Sequence, residues 1–192
     1  SVYFPLDCHL VPDRLMAALQ SQSEQLGVRF VWECEAMDCR MENGRVRALV
    51  AASGEQIEGD EFVLCGGSWS PELARKLALN IPMQAGKGYS LTLPKPRQLP
   101  NICAILTEAR VAVTPMGETL RVGGTMEIAR MNEDINPVRI QGIIRSFCRY
   151  YPEFQPADFD GLQPWLGLRP CSPDGLPYVG RTAKFANLSF AT

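Results

Sequence analysis

Histidine is almost missing from this sequence: His9 is the only one in 192 residues. That excludes multi-histidine metal sites, and it excludes Ser-His-Asp triads and Cys-His dyads unless His9, beside Cys8, itself serves. Long apolar runs are also lacking. No stretch reaches the roughly 18 residues that a membrane-spanning helix needs. No basic run exceeds two residues and the formal net charge is -2, so the electrostatic footprint of a nucleic-acid binder is absent. The seven cysteines (Cys8, Cys34, Cys39, Cys65, Cys103, Cys148 and Cys171) form no CxxC pair and show no metal-ligand spacing. An odd, scattered set fits reduced thiols that fill a core, and a cytoplasmic location.

What remains is ordinary globular material, 46% apolar and 21% charged, enough for one large domain or two small ones. Pro12 and Asp13 suit the first turn of a helix, with Leu15, Met16, Leu19 and Leu26 at helical spacing and Gly27 as a stop. Residues 28–32 read as a strand. Residues 36–42 and 45–51 flank Asn43-Gly44 and predict a hairpin, and a turn at Ser53-Gly54 leads into 55–60. Phe62-Val63-Leu64-Cys65 is wholly apolar, which predicts a strand covered on both faces. A short helix follows Ser70-Pro71.

From there the character changes. Residues 83–93, 103–115 and 119–128 read as antiparallel strands. Residues 137–151 form an amphipathic helix with Val138, Ile140, Ile143, Ile144, Phe147 and Tyr151 on its apolar side. A loop over 152–161 precedes a last apolar strand at 188–192. That strand has no neighbour close in sequence, so it is expected to return to the first sheet, leaving one domain interrupted by another.

One run stands out, Trp165-Leu166-Gly167-Leu168-Arg169-Pro170-Cys171-Ser172-Pro173-Asp174-Gly175-Leu176-Pro177. It sets an arginine in backbone stiffened by prolines. A guanidinium grips a carboxylate through two parallel hydrogen bonds, and a stiff frame reduces the entropy lost on binding. Chemistry alone leaves two readings open: a ligand-binding arginine, or a structural one paired with an internal Asp or Glu.

Four runs carry a resemblance. They are Gly66-Gly67-Ser68-Trp69-Ser70, Gly86-Lys87-Gly88-Tyr89-Ser90-Leu91-Thr92, Leu120-Arg121-Val122-Gly123-Gly124-Thr125-Met126-Glu127-Ile128, and the arginine run continued through Val179-Gly180-Arg181-Thr182. In this order and spacing they resemble the FAD-dependent amino-acid oxidoreductases of the D-amino-acid oxidase type, with their D-amino-acid dehydrogenase and glycine oxidase branches. The resemblance implies a fold of the α/β plus α+β kind: part of a layered α/β FAD-binding domain with an inserted, mainly antiparallel substrate domain. The expected division is 1–66 and 161–192 for the FAD-binding part and 67–160 for the substrate-binding part.

By the same resemblance, Arg169 pairs with the substrate carboxylate. A hydride passes from the Cα of a D-amino acid or glycine to the flavin, and the imine hydrolyses to a 2-oxo acid and ammonia. No protein base is strictly needed, in keeping with the scarcity of histidine. Glu35 and Ala36 match the backbone that contacts the adenine, with plain strand as the equal alternative. Gly66, Gly67 and Trp69 match the turn beside the flavin, though Trp69 suits core packing as well. Gly88 and Tyr89 match the strand entering the substrate domain near the ring system. Lys87 reads more readily as a surface charge than as an active-site cation, and Asp174 as a brace for its turn.

The family's opening GxGxxG turn, which holds the FAD pyrophosphate, does not occur in these residues. The resemblance therefore implies an internal piece of a longer enzyme. A central strand is expected to be missing between 62–65 and 188–192, leaving open apolar edges through which copies self-associate. Related enzymes carry a tyrosine on the strand that here reads Glu108-Ala109-Arg110-Val111-Ala112-Val113, and this chain has none there. Cys171 is offset from the flavin-linking cysteine of one branch, so non-covalent FAD is expected. The expected partners are a small amino-acid substrate and further copies of the chain, with no nucleic acid and no membrane span; the family's dehydrogenases add a place at the inner membrane face. The competing expectation is a non-catalytic piece that folds and self-associates without flavin.

Overall fold

A computed structural model of the chain describes residues 1–128 and 130–192. They form helix α1 (Pro12–Gln25), strands β1 (Ala36–Glu42), β2 (Arg45–Ala51), β3 (Gln56–Glu58) and β4 (Phe62–Leu64), and helix α2 (Ser70–Lys76). Strands β5 (Gln84–Leu93), β6 (Ala104–Leu106), β7 (Val111–Met116) and β8 (Thr119–Ile128) come next. Helix α3 (Pro137–Tyr150) and strands β9 (Trp165–Cys171), β10 (Val179–Arg181) and β11 (Leu188–Ala191) complete the order. The chain divides into two compact units. Unit 1 holds residues 1–29, 87–127 and 131–167, and unit 2 holds 30–86, 128–130 and 168–192.

Unit 1 takes its core from the meeting of a sheet and a helix. Within the five-stranded sheet, ordered β6-β7-β8-β5-β9, the pairs β6–β7 and β7–β8 are antiparallel. Val111 and Val113 of β7 and Leu120 and Val122 of β8 point to the same side, the period-two consequence of the pleat. Ile140, Ile143, Ile144 and Phe147 of α3 recur at helical spacing and join the same core. Phe147 is fully buried and meets the rings of Tyr151, Phe154 and Phe159 at 4.8, 5.0 and 5.7 Å between centroids. The helix starts where Asn136 Oδ1 accepts from the N–H groups of Val138 and Arg139, and Pro137 occupies the first turn, where no N–H is needed.

Unit 2 is organised around Cys39, Val46, Phe62, Leu77, Phe185 and Leu188. The β1–β2 hairpin forms as its sequence predicts, with Asn43 at φ 50° and Gly44 at φ 69°, the left-handed pair that a two-residue turn needs. Asn187, 1% exposed, performs the work of a missing strand residue. Its Oδ1 accepts from Val46 N at 2.9 Å, and its Nδ2 donates to the carbonyls of Val46 at 2.8 Å and Asp60 at 2.9 Å.

The mixed α/β architecture with antiparallel sheets is the expected one; the last strand returns to β4, in a sheet separate from that of β1, β2 and β3. Several local expectations are corrected. Strands β4 and β11 pair directly and in parallel, Leu188 with Phe62 and Phe190 with Leu64, so no strand stands between them. In the order β10-β11-β4, β4 lies at the edge, and Val63 is 60% exposed although the apolar run suggested cover on both faces. Residues 28–32 form no strand: Val28, Val31 and Trp32 are exposed, and β-propensity without a hydrogen-bonding partner does not make a strand. The segment 103–115 breaks into β6 and β7 at the turn 107–110, where Arg110 takes φ 53°. Helix α1 forms, yet it buries none of its residues, and in α3 Val138 is exposed rather than part of the apolar face.

Candidate functional site

The arginine run folds as strand β9 followed by a tight turn. Asp174 braces that turn as its sequence predicts: its Oδ1 accepts from Leu176 N at 3.1 Å, Ser172 Oγ donates to Leu176 O at 2.7 Å, and Gly175 supplies φ 78°. The Leu176 N–H, with help from the Ser172 hydroxyl, holds the Asp174 carboxyl below its usual range. Arg169 itself is exposed and, among the described residues, forms no ion pair. Its guanidinium therefore keeps its full hydrogen-bonding fork.

Within unit 2 the residue before Arg169 is bonded to the glycine turn. Ser68 Oγ donates to Leu168 O at 3.3 Å, which fastens Gly66-Gly67-Ser68-Trp69 to the residue preceding Arg169. Ser70 Oγ and Thr192 Oγ1 lie 2.8 Å apart, and Thr192 Oγ1 donates to Gly67 O at 3.3 Å. Gly67 adopts φ 53°, and no other group lies within 4 Å of where its Cβ would stand. The Trp69 indole beside it is 53% exposed. An open backbone position next to an exposed aromatic face fits a planar ring system. Ser68 and Thr192, which sequence reasoning overlooked, lock this turn; small hydroxyl residues beside a glycine pair are the only sequence signal of such ties.

Glu35 and Ala36 stand at the start of β1, both exposed, with Glu35 O accepting from Ala52 N at 2.9 Å. The phosphate end of a dinucleotide finds no counterpart of the GxGxxG kind in the sequence. An exposed arginine, an open glycine turn and an exposed indole are the kinds of group that a carboxylate and a planar ring require.

Gly88 and Tyr89 lie on β5 in unit 1. Gly88 is half-buried, whereas Tyr89 is a core residue, 2% exposed, whose hydroxyl donates to Glu127 Oε2 at 3.2 Å. Burial pushes the Tyr89 phenol above its usual range, and the Glu127 carboxylate adds to the shift. Arg139 balances Glu127 at 3.7 Å and donates to Thr125 Oγ1 at 3.0 Å. Lys87 departs from the surface charge expected of it. It is 3% exposed, and its ammonium donates to Asn132 Oδ1 and, at 3.2 Å, to Asp134 O, where it clamps the segment that follows β8. Among the described residues no group of His, Cys, Asp and Glu is placed to hold a metal ion, and no helix is long and apolar enough to cross a membrane.

The whole of the chain, residues 1–192, matches the family model for FAD dependent oxidoreductases, DAO, and the chain belongs to that family. Among curated relatives it is similar to the D-amino acid dehydrogenase of Methylobacterium sp. (strain 4-46), 36% identical over 184 residues, covering 95% of this chain and 42% of the relative. The D-amino acid dehydrogenase of Rhodopseudomonas palustris (strain HaA2) is also 36% identical, over 97% of this chain and 42% of its own length. The chain thus spans less than half the length of these relatives. Among solved structures, glycine oxidase from Bacillus cereus superposes with a TM-score of 0.75 at 25% identity, over 93% of this chain and 49% of that one. The L-proline dehydrogenase of P. horikoshii shares the fold, with a TM-score of 0.80 at 16% identity over 94% of this chain and 49% of its own.

Proposed function

We propose that this chain is part of an FAD-dependent enzyme that oxidises a D-amino acid, or glycine, to the 2-oxo acid and ammonia. One observation carries the reading: Arg169 is an exposed guanidinium that forms no ion pair among the described residues, and its neighbour Leu168 is bonded to the turn of Gly67 and Trp69. The identity to D-amino acid dehydrogenases supports the substrate class.

In this reading the chain's own work is to bind and orient. Arg169 takes the substrate carboxylate in a two-bond grip, which fixes the direction in which Cα–H points. The Gly66–Trp69 turn lines the ring system, since only glycine at position 67 leaves the backbone open there. Bound non-covalently, FAD supplies the acceptor for the hydride that leaves Cα. The amine is neutral when it does so, and water then hydrolyses the resulting imine. Residues 1–66 and 161–192 serve the cofactor side and 67–160 the substrate side. Glu35 and Ala36 lie toward the adenine, and Gly88 and Tyr89 toward the ring. The enzyme works in the cytoplasm or at the inner face of the membrane.

The test is steady-state kinetics of the full-length parent with glycine and a panel of D-amino acids. Arg169→Met is expected to lower kcat/KM by roughly 30- to 5,000-fold, the cost of about 2–5 kcal/mol for truncating one partner of a desolvated charge pair. Arg169→Lys should fall between. Unchanged kinetics in both variants would refute the assignment.

A second reading has its own observation. Strand β4 is an edge with Val63 60% exposed, and the sequence lacks the phosphate turn, so the chain by itself folds, holds no flavin and pairs through that edge. A colourless dimer on size exclusion favours this reading for the isolated chain; yellow protein that retains flavin through gel filtration rejects it.

A further inference from the structure

Strand β8 reverses its faces part-way along. Up to residue 124 it follows the pleat. Leu120 and Val122 are fully buried in the core beneath α3, and a methyl group at Gly124 would point the same way, 3.3 Å from Ile143 Cγ1. Continued alternation would send Met126 into that core and Thr125 and Glu127 to the opposite face. The side chains do the reverse. Thr125 Oγ1 accepts from Arg139 Nη1 of α3 at 3.0 Å. Glu127 Oε2 lies 3.7 Å from Arg139 Nε and accepts from the hydroxyl of the core residue Tyr89 at 3.2 Å. Met126 is 53% exposed. Residues 124 and 125 thus share a face, which marks a bulge and turns over the side chains that follow it.

The bulge is made by Thr125 at φ 58°, opposite Arg110 at φ 53°, with Thr125 N donating to Arg110 O at 3.2 Å. A β-branched residue in the left-handed region is strained. The exposed Met126 and the half-buried Glu127 carboxylate add to the cost. A regular pleat would relieve all of these together: Thr125 would extend, Met126 would be covered and Glu127 would be solvated. What opposes that relaxation is polar. Arg139 holds both Thr125 and Glu127, and the Tyr89 hydroxyl by itself would leave the carboxylate without a counter-charge.

We propose that Arg139 is a register lock, and that residues 125–127 form a two-register element. Locked, the strand stores its acid beneath α3 and shows Met126. Released, it straightens, buries Met126 and presents Glu127 on the other face. The lock is within reach of solvent, since the Arg139 side chain is 44% exposed. The inference does not depend on the role given to Arg169.

Peroxide oxidation of the methionines in the chain, read by peptide mass spectrometry, reports the register directly. Met16, 62% exposed on α1, serves as the internal reference, and Met126 should oxidise at a similar rate in the unaltered chain. Arg139→Met should slow Met126 by at least ~10-fold and leave Met16 unchanged, because a covered thioether is shielded from the oxidant. Thr125→Val keeps the strain but loses the bond to Arg139, so it should slow Met126 as well, and it decides the matter if Arg139→Met fails to fold. Adding Thr125→Gly to Arg139→Met removes the strain, since glycine takes positive φ freely, and should restore the rate. The proposal is overturned if Met126 keeps its rate in Arg139→Met or, where that variant does not fold, in Thr125→Val. It is also overturned if Met16 slows in step with Met126, or if Thr125→Gly brings no recovery.

Discussion

Two glycines near the same helix should respond to the same substitution with opposite signs. A methyl group at Gly124 would stand 2.8 Å from the carbonyl oxygen of Arg110, 3.2 Å from Val111 Cγ2 and 3.3 Å from Ile143 Cγ1. The first of these is backbone, and it cannot swing aside. Arg110 O already accepts from Thr125 N at 3.2 Å, and Arg110 and Thr125 both sit at positive φ, 53° and 58°, so the local backbone has little room to relax. Gly124→Ala therefore forces β8 away from β7 or from α3, at about 1–3 kcal/mol by the usual cost of overpacking. Gly142, inside α3, has nothing within 4 Å of the same methyl. There Gly142→Ala removes only the entropic handicap of a helical glycine and should stabilise by about 0.5–1 kcal/mol. At roughly 2–4 °C per kcal/mol for a chain of this size, thermal unfolding should show Gly124→Ala about 2–12 °C below the parent and Gly142→Ala about 1–4 °C above it. Urea midpoints should move the same way with unchanged slopes. A Gly124→Ala variant as stable as the parent would show that the sheet and helix contact is looser than its distances imply.

Asn187→Ala should cost on the order of 3 kcal/mol in urea denaturation, because it takes the side-chain partner from the buried N–H and C=O of Val46. Asn187→Asp should cost more, since two carbonyls would then face a group without donors; a loss under 1 kcal/mol in both would contradict the bonding described. Burial, with Asp38 adding to it, pushes the Cys39 thiol up to about 11. At pH 8 iodoacetamide should thus label exposed Cys65 and Cys103 well before Cys39, as read by peptide mass spectrometry. A raised thiol also means that the folded state holds its proton longer. That stabilisation is present below about pH 9 and is lost between about pH 9 and 11, so Cys39→Ala should flatten the fall of Tm over that range.

Much of the fold was legible because it rests on short-range rules. Asn43-Gly44 dictates its hairpin through two left-handed residues, and Asn136-Pro137 opens α3 through a side-chain cap and a residue that needs no N–H. Residues 28–32 misled for the opposite reason, as a strand exists only where a second strand bonds to it. Val63 misled likewise, since hydrophobicity states a preference for cover and not whether cover arrives. In the candidate site, Arg169 was conspicuous in its proline-stiffened run and Asp174 was readable as a turn brace. Lys87 was misjudged because the acceptors that allow its burial, Asn132 and Asp134, lie on a distant segment. Arg139 passed unnoticed because its setting depends on Thr125 and Glu127, which lie on a different element.

The sequence by itself determined the Asn43-Gly44 hairpin, the start of α3, the alternation of β7 and β8 and the family to which the chain belongs, since these follow from dihedral preference, capping, alternation and ordered motifs within the chain. Only the tertiary structure decided that β4 lies directly against β11, that Asn187 bonds both backbone groups of Val46, and that Lys87 is buried against Asn132 and Asp134. Those outcomes depend on which distant groups meet, and a charge or a polar atom acquires its role from what is left unpaired once the chain has packed.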